Sequence, residues 1–554
     1  MLNQRRSVAG LMSARYFLSG LLVLLVLLTG CAGSLPPATH SGAETAVLTD
    51  DSFLSSQSRQ RLADANGQSG YYLLDSGQDA FLYRAAMIEA AEHRIDAQYY
   101  IWNRDDSGLH LAGRLLLAAD RGVKVRLLLD DFNAERIGEL FASLDTHPNI
   151  HIRIFNPARN RSGWGRWVSF LMDFQRINRR MHNKTFVVDG TAGIVGGRNI
   201  GDEYFGFDES RYFRDRDVLA LGPVVEGMAD NFQAYWSSPW AYPASDLYTS
   251  MPTGAELAET LEGLRQQAIA QPRLPISAPT GAEQGRSELT SVFSRMTIAQ
   301  GELVFDPPPE HMDAPSETPK RSALALQRLA QTATREILIE SAYLILAREQ
   351  LQALGANERP QLEVAALTNS LASNDLVTNH AGYARWRPYM LEQGIHIYEL
   401  KPDAEACRQW LSDDAFCATG EVSLHSKSVV FDRSTLVVGS FNVNLRSIYL
   451  NGETVLIIHS ADLAERVAED VRLTMAPGNS WEVALDEDGD LQWRSGEAVF
   501  TSERPSIGGA GRSPGSCHGC LSRSTFRLGR DLYPFGCQAS RGGGESNISW
   551  RTLV

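Results

Sequence analysis

The sequence predicts an α/β fold of two homologous domains, each a mixed sheet flanked by helices, related by a pseudo-two-fold axis with the active site at their interface. Three observations carry this. Short aliphatic and β-branched runs alternate with helix-period segments, which implies a sheet covered on both faces. One motif occurs twice in the same register, at His182-Asn183-Lys184-Thr185-Phe186-Val187-Val188-Asp189 and at His425-Ser426-Lys427-Ser428-Val429-Val430-Phe431-Asp432, 243 residues apart. The flanking segments also echo one another at nearly that offset, the signature of an internal repeat.

The first domain, residues 68–246, opens with Asp79–His93, whose Phe81, Ala85, Ile88 and Ala91 fall at helical spacing. Ile95–Trp102 reads as a strand, Leu109–Ala119 as a helix and Val123–Leu129 as a buried strand. In the second domain, residues 323–500, Ala323–Ala333 is the matching helix, and Ile337–Ile345 and Leu362–Thr368 are the matching strands. Ile95 and Ile337 stand 242 residues apart, and the Ile-His-Ile runs at 150–152 and 395–397 stand 245 apart. Between the halves, residues 247–322 carry Pro, Gly and Gln and read as a crossover with a helix around Glu256–Ala268.

Both motif copies continue past the aspartate to a glycine turn and an asparagine: Gly196-Gly197-Arg198-Asn199 and Gly439-Ser440-Phe441-Asn442. Thr185–Val188 and Ser428–Phe431 read as buried strands, so His182 and Lys184 share one face, as do His425 and Lys427. An imidazole beside an ammonium, with an amide returned by the turn, makes a site suited to a phosphate. The chain has five lysines among 52 Lys plus Arg, and two of the five are Lys184 and Lys427. A compact point charge is therefore selected there over the guanidinium used elsewhere.

The doubled motif resembles that of the phospholipase D superfamily. The flanking Ile95–Trp102, Asn178–Met181 and Asn199–Tyr204 resemble its bacterial cardiolipin synthase C branch, and the likeness spans Gly70 to about residue 500. It implies a phosphatidyltransferase in which one histidine attacks phosphorus, giving a covalent phosphatidyl-histidine, while the other protonates the leaving alkoxide. His182 is taken as nucleophile and His425 as acid and base, although the repeat gives either ring the same equipment. Lys184 and Lys427 neutralise the phosphate, with Asn199 and Asn442 as further phosphate donors. Asp189 and Asp432 complete the motif, seven residues on from each histidine, where bracing a turn is the alternative role. Asp217 and Glu453, each heading the next apolar run, are the candidates to orient the imidazoles through their other nitrogen.

Residues 1–31 form a targeting segment. Arg5, Arg6 and Arg15 precede an apolar run, Tyr16–Leu28, that is short for a membrane span and suits a signal-peptide core. Leu28-Thr29-Gly30-Cys31 resembles the bacterial lipobox, implying cleavage before Cys31 and its lipidation; an uncleaved inner-membrane anchor is the alternative. Ala32 resembles the residue that follows the lipidated cysteine in outer-membrane lipoproteins. The expected location is the cell envelope, lipid-anchored and facing the periplasm. Residues 32–67 read as a flexible tether with a helix near Ser58–Ala65, and residues 501–554 are Gly-, Ser- and Arg-rich and receive no fold.

The stretch Arg161–Arg180 places Trp167, Phe170, Leu171, Phe174 and Ile177 on one helical face beside arginines, which fits either a lipid-facing element or a core-packed helix. A net charge of −14 speaks against a nucleic-acid partner. The expected partners are a membrane and its phospholipids: phosphatidylglycerol, phosphatidylethanolamine or cardiolipin. Need for an accessory protein stays open. Cys407 and Cys417 are close enough for a disulfide in an oxidising compartment. Cys517-His518-Gly519-Cys520 with Cys537 lacks the second pair of a complete zinc site, so neither metal nor cofactor is expected. The competing functions are a hydrolytic phospholipase D, a nuclease and an inert lipid-binding lipoprotein.

Overall fold

The computed structural model describes residues 51–503, except 135–136, 159–172, 249–251, 271–276, 313–317, 355–358 and 412. Cys31 and its targeting segment, Cys517, Cys520 and Cys537 of the tail, and most of the Arg161–Arg180 stretch lie outside the described residues. The tether helix begins earlier than expected, at Phe53–Arg61, because Ser52 caps it by accepting a hydrogen bond from the Ser55 N–H.

The first half contains β1 (Ser69–Leu74), β2 (Arg94–Tyr99), β3 (Lys124–Asp130), β4 (Ile150–Phe155), β5 (Thr185–Val188), β6 (Ala192–Gly196), β7 (Arg211–Arg214), β8 (Asp217–Leu221) and β9 (Ala241–Pro243). All but β7 form one sheet in the order β1-β8-β6-β5-β2-β3-β4-β9, parallel only across β2-β3-β4. Parallel neighbours need crossovers, and the helix Asp106–Asp120 supplies one, started by Asp105 accepting from the Gly108 N–H. Every residue of β2, β5, β6 and β8 is buried, which is why these strands read as apolar runs and not as alternating ones.

The second half repeats the plan with β11 (Glu336–Ser341), β12 (Glu363–Asn369), β13 (Ile395–Leu400), β14 (Glu421–Leu424), β15 (Lys427–Phe431), β16 (Thr435–Gly439), β17 (Thr454–His459) and an added hairpin edge, β18 (Ser480–Leu485), β19 (Leu491–Ser495) and β20 (Ala498–Phe500). Its β11-β12-β13 are again parallel. The crossover contains two helices, Gly254–Ala270 and Ala282–Ser294, and a strand that the sequence does not announce, β10 (Thr297–Phe305). β10 pairs antiparallel with β17 as β1 pairs with β8, and β1 and β10 pair with each other, so the pseudo-two-fold axis runs between them. The second half therefore takes its first strand from residues read as connection.

β7 and β14 stay out of the continuous sheet so formed and pair with each other in parallel, one from each half, with Arg214 opposite Leu424. An isolated parallel bridge, Met181 to Gly452, does the same on the other side of the axis. These two short pairings bring the motifs together.

Candidate active site

Continuing each parallel pairing by one residue sets His425 beside Asp215 and His182 beside Glu453. The backbone N–H of His425 donates to the Arg214 carbonyl at 2.8 Å, and that of His182 donates to the Gly452 carbonyl at 2.8 Å. His182 Nδ1 lies 2.8 Å from Glu453 Oε2, and His425 Nδ1 lies 2.5 Å from Asp215 Oδ2. Each imidazole is thus held through Nδ1 by a carboxylate from the opposite half, and no hydrogen bond among the described residues involves either Nε2.

Asp217 is a correction. It faces Arg84, at 2.8 Å, and takes the Arg198 N–H, not an imidazole. The strand register explains the two-residue shift: Gly196 pairs with Asp217 and Gly439 with Val455, so the true counterpart of Glu453 is Asp215. Matching the starts of the apolar runs hid this; matching the motif glycines reveals it. A Cβ on Gly197 would sit 2.2 Å from Asp215 Oδ1, so the glycine turn makes room for the carboxylate that the histidine of the other half uses.

The motif lysines sit as the two-residue periodicity requires. Lys184 Nζ donates to the carbonyl of His182 at 2.6 Å, and Lys427 Nζ donates to that of His425. Asp189 and Asp432 lie just past the ends of β5 and β15, where each opens the turn to the next strand, and take no part in the cluster. Asp189 accepts from the N–H groups of Glu92, His93 and Arg94, and Asp432 from those of Thr334, Arg335 and Glu336, fixing the entry to β2 and β11. Asn199 is also engaged by the protein, accepting from the Ile101 N–H at 3.1 Å and donating to the Tyr204 hydroxyl at 2.9 Å. Asn442, by contrast, makes no side-chain hydrogen bond among the described residues: its Oδ1 can only accept, so its Nδ2 is the atom that would donate to a phosphate oxygen.

Several participants carry no motif. Tyr100 stands edge-on to His182 with ring centroids 5.0 Å apart, and Lys184 Nζ lies over its face at 5.4 Å. Tyr204 and Phe213 pack on His425 at 5.1 and 5.4 Å. Glu453 is gripped by the Ser440 hydroxyl at 2.5 Å, the Ser447 hydroxyl at 2.7 Å and the Asn451 amide at 3.3 Å.

Burial dominates the electrostatics. It pushes His182 down to about 4, with Glu453 opposing and Lys184 adding to the fall. Burial with Lys427 and Lys184 holds His425 well below its usual range. Lys184 falls to about 7, chiefly through burial, with Glu453 opposing. Burial lifts Glu453, but His182, Lys184 and Ser440 bring it below the ordinary carboxylate range; burial keeps Asp215 above it. Both rings are thereby biased toward the neutral form, in which Nδ1–H faces the carboxylate and Nε2 presents a lone pair beside the two lysine amines. Among the described residues no cluster of three or more His, Cys, Asp or Glu side chains is placed to hold a metal ion.

A family model described as cardiolipin synthase, PLD-like domain, matches the chain twice, over residues 85–236 and 326–473. Cardiolipin synthase C of Escherichia coli (strain K12) is 39% identical over 438 residues, 77% of this chain and 89% of that protein. A cardiolipin synthase of Geobacillus kaustophilus (strain HTA426) is 26% identical over 403 residues, 72% of this chain and 64% of that protein. The crystal structure of phosphatidylserine synthase from Haemophilus influenzae Rd KW20 aligns with a TM-score of 0.49 at 13% identity, covering 76% of this chain and 90% of that one.

Proposed function

Because this chain belongs to the PLD-like cardiolipin synthase family and is a phospholipase D-type phosphatidyltransferase, we propose that it makes cardiolipin by moving a phosphatidyl group onto the headgroup alcohol of a second phospholipid through a covalent phosphohistidine. The observation that carries the reading is the crossed pairing of His182 with Glu453 and His425 with Asp215. It leaves two Nε2 atoms and two ammonium groups for one phosphodiester.

In the first step His182 Nε2 bonds to phosphorus, the bond from phosphorus to the donor's headgroup oxygen breaks, and that oxygen takes a proton from His425. In the second, the acceptor hydroxyl gives its proton to His425 and bonds to phosphorus while the N–P bond breaks, restoring His182. Glu453 stabilises the positive charge that builds on His182 during attack, which favours that ring as nucleophile. A bound phosphodiester supplies the negative charge that lets His425 hold its proton. Lys184, Lys427 and Asn442 bind the non-bridging oxygens.

The anchor is inferred from Leu28-Thr29-Gly30-Cys31, which supports a lipoprotein of the cell envelope facing the periplasm. Among the described residues no helix is long and apolar enough to cross a membrane. Replacing Cys31 by serine should abolish lipid labelling and leave an unprocessed precursor; normal labelling would remove the lipoprotein reading.

Two measurements test the reaction. Mass spectrometry of products from mixed phosphatidylglycerol and phosphatidylethanolamine vesicles should show cardiolipin, whereas phosphatidic acid alone would make the enzyme a hydrolase. His182→Ala and His425→Ala should each remove nearly all turnover, the double change adding little. With a good leaving group, labelled lipid should stay on His182 in the His425→Ala protein and on nothing in the His182→Ala protein. Label on His425 would reverse the roles, and substantial turnover by either single variant would sink the two-histidine mechanism.

A further inference from the structure

The loops that follow β3 and β12 occupy equivalent places in the two halves, and each is tied to the residue preceding a motif histidine. In the first half Asp130, the last residue of β3, accepts from the N–H of Met181 at 2.9 Å and from that of Phe132 at 2.9 Å. In the second, Asn369 ends β12 and accepts from the Leu424 N–H at 2.8 Å while its amide donates to the Leu424 carbonyl at 2.7 Å; Ser373 of the loop donates to it at 3.1 Å. Both loops therefore stand at the rim of the site.

Both rims present large apolar side chains to solvent. Phe132 is 60% exposed, and Leu376 and Val377 are 45% and 71% exposed. Among the described residues there are seven such exposed large apolar side chains, and three of them fall in the segments that follow β3 and β12: Phe132 in the one-turn helix Asp131–Ala134, and Leu376 and Val377 at the cap and first residue of the helix Val377–Glu392. The other four are scattered on helix faces and an edge strand, which is ordinary for a soluble surface. Phe132 is also continuous with the chemistry: it stacks on Tyr100 at 5.0 Å, and Tyr100 stands edge-on to His182. On the other side Asp375, next to Leu376, accepts from the Tyr343 hydroxyl at 2.8 Å, joining that loop to the end of β11.

We propose that Phe132 on one rim and Leu376 with Val377 on the other form a two-sided membrane-contact surface that enters the acyl region of a phospholipid leaflet and sets the catalytic cleft over the headgroups. The proposal rests on the phospholipid reading of the site. A lipid whose phosphate must reach a buried imidazole while its acyl chains remain in the leaflet needs the rim, not a remote face, at the interface. The charge of the chain favours apolar insertion over basic attraction, because at a net −14 it has no cationic excess to draw an anionic leaflet.

The test uses the full chain and vesicles of phosphatidylglycerol brominated on the acyl chains. Tryptophan placed at Val377 should lose about half or more of its added fluorescence to the bromines, whereas tryptophan at Ile269, 63% exposed on the crossover helix, should lose about a tenth or less. The Ile269 position controls for simple tethering through a lipidated end. The paired change Leu376→Ser and Val377→Ser should lower turnover on vesicles roughly tenfold and alter turnover on a short-chain phosphatidylglycerol, dissolved as monomer, less than about twofold. Equal quenching at the two positions, or equal loss on both substrates, would overturn the proposal. A parent chain inactive on both substrates would instead strike at the transferase reading, and the quenching comparison would still decide the surface.

Discussion

Behind His182 the sheet is lined by neutral amides and hydroxyls, whereas behind His425 the equivalent positions carry ions. Gln98 of β2 lies opposite Thr185, and Glu340 of β11 lies opposite Ser428, so the two are counterparts. Gln98 accepts from Asn231 at 3.0 Å and from Thr185 at 3.3 Å, and Asn183 donates to Thr454 at 2.6 Å. Glu340 instead receives Arg216 at 2.6 Å, Arg214, and the hydroxyls of Ser426 at 2.8 Å and Ser428 at 2.6 Å, while both arginines also reach Asp470. Those two arginines flank Asp215. The repeat has kept the reacting groups alike and let their supports diverge: Glu453 is steadied by hydroxyls aimed at it, whereas Asp215 accepts the Arg216 N–H at 2.7 Å and sits between two arginines whose ion pairs to Glu340 and Asp470 tie the halves together. Two copies of one motif thus come to rest on unequal supports.

The largest effect that tests this comparison belongs to the two carboxylates. Glu453→Gln and Asp215→Asn should each lower kcat by something on the order of 10² to 10⁴, because the imidazole loses its preferred tautomer and the partner for its developing charge. Asp217→Asn should act on folding instead, leaving Arg84 without its buried partner and the pH profile of turnover unmoved. If Asp217→Asn removed turnover and Asp215→Asn did not, the assignment by strand register would be wrong.

Next comes pH. In the proposed mechanism attack requires neutral His182, whose value is pushed down to about 4, so kcat/KM should rise as pH climbs through that region. Phosphate binding requires charged Lys184, pushed down to about 7, so kcat/KM should fall as pH passes that value. The limbs are macroscopic values of a coupled cluster, which is why the diagnostic is a shift. Lys184→Arg should carry the basic limb upward; a basic limb that stays in place would assign it to another group. The unaltered protein should retain activity after exhaustive chelation, because the proposed mechanism assigns the phosphate to ammonium groups; loss restored by a divalent ion would count against the mechanism.

Much of this was legible before any coordinates, and the limits have physical causes. The motif pair, its spacing and its strands were readable because each copy is local and its strands are buried on both faces. β10 was not, since most of its residues are only half-buried and its partner strands lie in different halves. Asp215 was missed because orientation of a histidine by the other half is a tertiary fact, and Arg214-Asp215-Arg216-Asp217 offers two carboxylates two residues apart on one face. The consistent signal was there in the glycine-to-strand register. The Glu340 network had no signal at all, because a glutamate inside an apolar strand reads as a surface residue until its arginines are found.

A smaller effect follows from the two supports themselves. Glu340→Gln leaves two buried guanidiniums short of a counter-charge and should cost about 3–5 kcal/mol in denaturant unfolding. Gln98→Leu removes a neutral acceptor whose own Nε2 is already without a partner among the described residues, and should cost about 1–3 kcal/mol. Equal costs would mean that the ionic network is no more than packing.

The smallest effect concerns a feature only the second half has. Cys407 and Cys417 form a disulfide with Cα atoms 5.8 Å apart, while the sequence of the first half contains no cysteine after Cys31. The bridge closes a short loop just before β14, the strand that leads into His425. For a loop with a sequence separation of 10 the entropy withdrawn from the unfolded chain amounts to about 2–3 kcal/mol. Local geometry at His425 is set elsewhere: Asn369 holds Leu424 on one side and β7 pairs with β14 on the other. Cys407→Ser with Cys417→Ser should therefore lower the unfolding midpoint while kcat, measured well below it, changes less than about twofold. Collapse of kcat in a protein that remains folded would mean that the bridge itself positions His425, and the second half would then depend on a covalent brace where the first does not.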